Sequence, residues 1–165
     1  MITTNFVVLT LSMAALSMLS ATELAASDSC PIAKSIYRDG DGKGFQLIFS
    51  PPSSGGVFLA TATIDHNKQG QLYRFQVTQS NGYGSVWLLD RETKYSKRDR
   101  GLWIAFFDQN LKSATPLFLE KETESPKYAV IAELGSYDYY KRRDRVMGNS
   151  SMLLSDTIWI FDRCQ

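Results

Sequence analysis

The residues with the most chemical reach fall in two basic stretches. Lys94, Lys97, Arg98 and Arg100 form one, Lys141, Arg142, Arg143 and Arg145 the other, and together they hold eight of the eighteen lysines and arginines. Tyr95 stands inside the first stretch, and Tyr137, Tyr139 and Tyr140 stand beside the second. A guanidinium fork matches the paired oxygens of a phosphate or carboxylate, and a tyrosine face stacks on a sugar or base. The pattern therefore points to an anionic envelope component, a glycan or an acidic protein as partner. Lys97, Arg98, Arg100, Arg142, Arg143 and Arg145 are the expected contacts. Asp99 and Asp144 interrupt the stretches, and two solvated loops kept soluble by charge would share this composition.

Catalytic chemistry finds little to work with. The sole histidine, His66, lies between Asp65 and Asn67 at the end of an apolar stretch. As a general base it would need a nucleophile and an orienting carboxylate, and no Gly-x-Ser-x-Gly elbow supplies the serine. A solvated turn residue is the expectation. Asp39-Gly40-Asp41-Gly42 opens like a calcium loop, but Lys43 stands where a third acidic ligand belongs and no closing glutamate follows. A glycine-rich turn explains the same letters. Asp90, Asp108, Glu133, Asp138 and Asp156 could serve a hydrolase, yet their spacing selects no facing pair. No catalytic residue, metal or cofactor is expected, and the near-balanced charge gives no reason to expect nucleic acid.

The N-terminus bears on compartment. A polar start, an apolar run over Phe6 to Leu19 and a small-residue segment over Ser20 to Ser29 follow the layout of a secretory signal peptide. The apolar run is shorter than a bilayer-spanning helix, although the start lacks Lys and Arg. Residues 1–26 are read as the signal peptide, with cleavage after Ala21 or Ser29 as alternatives. A periplasmic or secreted chain follows, with no transmembrane segment in its mature part. In such a compartment the two cysteines, Cys30 and Cys164, are expected to pair and to tie together the ends of the domain.

Alternation with period two dominates the rest. Phe45, Leu47 and Phe49 alternate with Gln46, Ile48 and Ser50, as Tyr73, Phe75 and Val77 do with Arg74, Gln76 and Thr78. Val57 to Asp65, Tyr83 to Asp90, Leu102 to Asp108, Tyr128 to Leu134 and Thr157 to Asp162 add further strands, and Pro116 to Glu120 a short edge. Asn81-Gly82 reads as a two-residue type I′ hairpin turn. Helix is limited to a turn or two around Ile32 to Tyr37. The expected fold is all-β: residues 27–165 form a single antiparallel sandwich or partly open barrel of about seven to nine strands. Trp87, Trp103 and Trp159 lie in apolar strands and are expected in the core, an exposed carbohydrate platform being the alternative.

Cys30-Pro31, Ser80-Asn81-Gly82-Tyr83 and the closing Trp159-x-x-x-x-Cys164 resemble a group of small exported alphaproteobacterial proteins with no known function. The resemblance implies export and the terminal disulfide and carries no chemistry. The leading expectation is a non-enzymatic binding protein acting through the basic stretches. The alternatives are a carrier of an apolar ligand inside a barrel, lined by Phe75, Trp87, Phe106 and Trp159, and a hydrolase.

Overall fold

The computed structural model describes residues 29–52, 59–90, 101–120, 122–146 and 151–165, with the backbone alone for 144–146. The expected signal peptide lies outside the described residues.

Eight strands form where the alternation is strongest: β1 (Ser35–Asp39), β2 (Phe45–Ser50), β3 (Ala60–His66), β4 (Gly70–Gln79), β5 (Val86–Leu89), β6 (Gly101–Phe107), β7 (Tyr128–Ile131) and β8 (Ile158–Cys164). Each pairs antiparallel with the next, and β8 returns to pair with β1, so the sheet closes into a barrel. The all-β expectation holds, with closure complete rather than partial. Every second side chain points inward. Phe45, Leu47 and Phe49, then Ala60, Ala62 and Ile64, then Tyr73, Phe75 and Val77 are all buried, and the intervening positions are more exposed.

Aromatic rings fill the interior. Tyr37 lies 6.0 Å from Phe49, 6.4 Å from Phe106 and 5.7 Å from Phe161 between ring centroids, and Phe49 lies 6.2 Å from Phe106. An eight-stranded barrel is just wide enough for its own side chains to occupy the lumen. Burial pushes the Tyr37 phenol well above the usual tyrosine pKa, and its hydroxyl donates to the Pro126 carbonyl at 2.9 Å.

The Cys30–Cys164 disulfide is present, with a Cα–Cα distance of 5.6 Å. It sits at the seam, because Cys164 is the register partner of Ser35 where β8 meets β1. The Gln165 amide donates to the Lys34 carbonyl at 2.8 Å and extends the closure by one residue.

Four expectations need correction. First, Leu134–Val146 is an α-helix, α1, between β7 and β8, so helix is not confined to the start of the domain. Second, the expected turn of helix is present as a 3-10 turn over Ile32–Lys34, but the chain then enters a strand that was not expected, β1 over Ser35–Asp39. Third, Pro116 to Glu120 is not a strand. The Leu119 amide instead donates to the Gln79 side chain at 2.8 Å. Fourth, β4 and β5 do form a hairpin, but Gln79 pairs with Val86 and the Ser80 amide donates to the Ser85 carbonyl, so the turn is longer than two residues. A type I′ turn needs positive φ at both central residues. Here Gly82 (φ 94°) and Gly84 (φ 78°) have it and Asn81 does not.

Two stability predictions follow. The disulfide closes 134 residues of chain, for which the loop-entropy model gives about 5 kcal/mol as an upper figure. Changing Cys30 and Cys164 together to serine should lower the denaturant midpoint markedly, and native protein should show no free thiol on titration. In the hairpin, a Cβ at Gly82 meets nothing within 4 Å, whereas one at Gly84 would stand 2.9 Å from the Leu117 carbonyl oxygen. Gly82→Ala should cost about 1 kcal/mol for left-handed backbone. Gly84→Ala should cost clearly more in the same denaturation series, because backbone must also move.

Candidate functional site at the helix-capped end

In an up-and-down barrel, alternate connections leave from the same end. Those from β1 to β2, β3 to β4, β5 to β6 and β7 to β8 therefore share one end, and the last contains α1. The helix presents Leu134, Tyr137, Asp138, Lys141 and Arg142 at successive three- and four-residue steps toward the barrel. Only Leu134 in this series is aliphatic, so polar side chains anchor most of the cap.

Asp138 is fully buried and accepts four hydrogen bonds. They come from the Tyr73 hydroxyl at 2.6 Å, Arg142 Nε at 2.5 Å, Arg142 Nη2 at 2.9 Å and the Leu154 amide at 2.8 Å. Burial, then the hydrogen bond and charge of Asp138, raise the Tyr73 pKa well above the usual value, which keeps the phenol a donor. Burial disfavours the Arg142 cation, but the hydrogen bonds and charge of Asp138 outweigh it and hold its pKa above the ordinary value. Arg142 also donates to Gln69 Oε1 and the Met152 carbonyl, both at 2.9 Å. A second buried carboxylate, Asp90, accepts from the Tyr137 hydroxyl and the Lys141 ammonium. That ammonium lies 5.0 Å from the Tyr137 ring centroid and 5.4 Å from that of Tyr73.

The basic residues expected to bind therefore divide. Arg142 is committed to Asp138. Arg143 is exposed, with its guanidinium carbon 5.6 Å from the centroid of the Tyr140 ring, which is 67% exposed. Arg145 lies on α1 rather than in a loop, and its side chain is outside the described residues, as are Lys97, Arg98 and Arg100. In sequence those three fall between β5 and β6; the described chain leaves β5 and enters β6 at the end that carries α1. Between α1 and the start of β6 lies a cleft of about 670 Å³ lined by Gly101, Leu102, Glu133, Ser136, Tyr137 and Tyr140.

The remaining candidates fall into place. His66 is buried rather than solvated: Nε2 meets the Lys43 carbonyl at 3.1 Å, and Nδ1 accepts from the Lys68 amide at 3.3 Å and the Gln69 amide at 3.2 Å. Asp108 accepts the amides of Asn110 and Lys112, and Asp156 accepts that of Gly135. Among the described residues, no cluster of three or more His, Cys, Asp or Glu could hold a metal. Trp159, Phe75 and Phe106 are core residues, but Trp87 and Trp103 are not. They are register partners on the outer face of β5 and β6, and Trp103 is 44% exposed. Gly101 makes room for this wall, since a Cβ there would press on the Trp87 ring at 3.1 Å.

No family model, curated protein or solved structure matches the chain.

Sequence reasoning missed Asp138, Tyr73 and Asp90 as the anchors of the cap. The signal available was the helical spacing of residues 134, 137, 138, 141 and 142, which an apolar-periodicity search passes over. Removing one partner of a buried ion pair leaves the other uncompensated, at about 3–5 kcal/mol. Asp138→Asn and Arg142→Ser should therefore each lower the unfolding midpoint strongly, and Arg143→Ser, at an exposed position, should lower it clearly less, as thermal unfolding will show.

Proposed function

We propose that this chain is an exported, non-enzymatic binding protein that takes an anionic glycan at its helix-capped end. The observation that carries the reading is the exposed Arg143–Tyr140 pair at the rim of the cleft. The Tyr140 ring offers a face to a sugar, the positive charge of Arg143 beside it attracts a carboxylate or phosphate, and Glu133 and Ser136 in the cleft offer hydrogen-bonding partners for hydroxyls. Strand order supports joining this pair to Lys97, Arg98 and Arg100, whose connection is anchored at the same end. The disulfide supports an oxidising compartment, and among the described residues no helix is long and apolar enough to cross a membrane.

An interior carrier draws less support. Phe75, Phe106 and Trp159 are packed in the filled core, while Trp87, the fourth residue assigned to that lining, is on the outer wall.

Titration with polygalacturonate, against neutral dextran as control, tests the proposal. Attraction between exposed charges is screened beyond about 8 Å at physiological salt, so binding should weaken steeply as salt rises. Tyr140→Ala with Arg143→Ser should lower affinity about tenfold, the loss of roughly 1.4 kcal/mol. Adding Lys97→Ser, Arg98→Ser and Arg100→Ser should abolish binding with the unfolding midpoint unchanged. Salt-insensitive binding, or binding kept by the five-site variant, would overturn the reading.

A further inference from the structure

Away from the helix-capped end, we infer that the outer wall formed by β5, β6, β7 and β8 is an interface between two copies of this chain. A strand with one face in the lumen and the other in water alternates, and β2, β3 and β4 do so. Their outward positions include Gln46, Ser50, Thr63, Asp65, Arg74 and Gln76. The other half of the barrel does not alternate. Val86–Leu89, Tyr128–Ile131 and residues 102–107 and 158–161 are apolar or aromatic at inward and outward positions alike. That is the pattern of strands covered on both faces.

Register assembles the outward residues of these four strands into one continuous surface. Trp87 stands beside Trp103. One row further along, Ala105 stands beside Val130 and Val130 beside Ile158; in the next, Phe107 stands beside Tyr128 and Tyr128 beside Ile160. Trp103 is 44% exposed and Ile158 49%, and the others apart from Ala105 are half-buried. None of the residues in these rows is charged. Thr78 borders the surface beside Trp87, and Arg38 borders it beside Ile160.

Three properties select a second copy as the occupant. The surface is neutral, so it can meet its own image across a two-fold axis with no like charges opposed, as an isologous contact requires. Its aromatic and branched aliphatic side chains match the apolar centre of a homodimer contact. Its extent also fits: three strand spacings of about 4.8 Å by about five residues of 3.4 Å rise, widened by the side chains, make roughly 20 by 20 Å. A standard interface takes about 800 Å² of accessible surface from each partner, with a polar rim around such a centre. Here Thr78 and Arg38 begin that rim, and an area at the lower end of the range gives a dimer of micromolar affinity. Lipid fits less well. A bilayer-spanning barrel needs an apolar band around its whole circumference, which the outward residues of β2 to β4 interrupt. An anionic lipid surface selects a basic face, and this one carries no charge.

Sedimentation equilibrium of the mature chain from about 1 μM to about 1 mM tests the inference, since a micromolar dimer dissociates within that range. Monomer should give way to dimer as concentration rises. Trp103→Lys with Ile158→Lys should keep the chain monomeric throughout, by setting like charges against each other across the axis. Trp103→Thr with Ile158→Thr suits a strand and adds no charge, so it decides the matter even if the lysines unfold the barrel; it should weaken the dimer about tenfold or more. Tyr140→Ala with Arg143→Ser should leave the dimer unchanged, which separates this surface from the glycan site. A chain that stays monomeric at every concentration, or a dimer untouched by the threonine pair, would overturn the inference. So would a monomer that pellets with phosphatidylcholine vesicles instead of dimerising.

Discussion

Pairing of β1 with β8 is the contact on which the remaining architecture rests. With it, eight strands have no free edge, and every inward side chain meets others across the lumen instead of solvent. The seam joins the first and last strands of the domain, so closing it carries the largest chain-entropy cost of any pairing here. The disulfide stands at that seam and reduces this cost by restricting the unfolded chain. The lumen that results is occupied by Tyr37, Phe49, Phe106 and their neighbours. The interior is thus packed with side chains, in contrast to wider or emptier barrels that carry ligands inside.

The cap works by a different principle from the core. Asp90 and Asp138 each take one tyrosine hydroxyl and one cation of α1, Tyr137 with Lys141 in the first case and Tyr73 with Arg142 in the second. Buried charges of this kind add little net stability compared with apolar packing, but removing one partner is costly, which favours a single seating of the helix. This seating sorts the basic stretch by direction. Residues one and two positions past Tyr140 turn toward the carboxylates, and the next, Arg143, turns outward beside the Tyr140 ring.

The sequence made the barrel legible where the two faces of a strand meet different surroundings. β2, β3 and β4 each have one face in the lumen and one facing out, and alternation follows directly. β1 escaped notice because Ser35, Ile36, Tyr37 and Asp39 are all buried, which erases the period. α1 escaped for the converse reason, since its inward series is mostly polar and gives no apolar stripe. Asn81-Gly82 carried the letters of a tight turn, but Gly84 takes positive φ as well and lies against the Leu117 backbone, so a longer connection forms. The exposed positions of Trp87 and Trp103 could not be read locally, because which face of a strand points inward depends on the closed sheet. The position of Arg142 was hidden similarly, because only three-dimensional packing sets it against the buried Asp138.

The turn between β3 and β4 and the α1 cap, both at the same end of the barrel, are connected through hydrogen bonds. Gln69 meets the His66 ring through its amide and its side-chain nitrogen, and its oxygen accepts from Arg142, which in turn holds Asp138. Coupling between sites requires an element with two arrangements that both ligands bias. Each link in this chain is instead fixed from other directions: His66 by the Lys43 carbonyl, Gln69 by the Met152 carbonyl, Arg142 by the fully buried Asp138. A continuous set of contacts with a single satisfied geometry transmits rigidity, not a choice between states. The physical consequence is that the turn between β3 and β4 and the cap formed by α1 are held as one hydrogen-bonded unit, so loosening Gln69 or Arg142 loosens both.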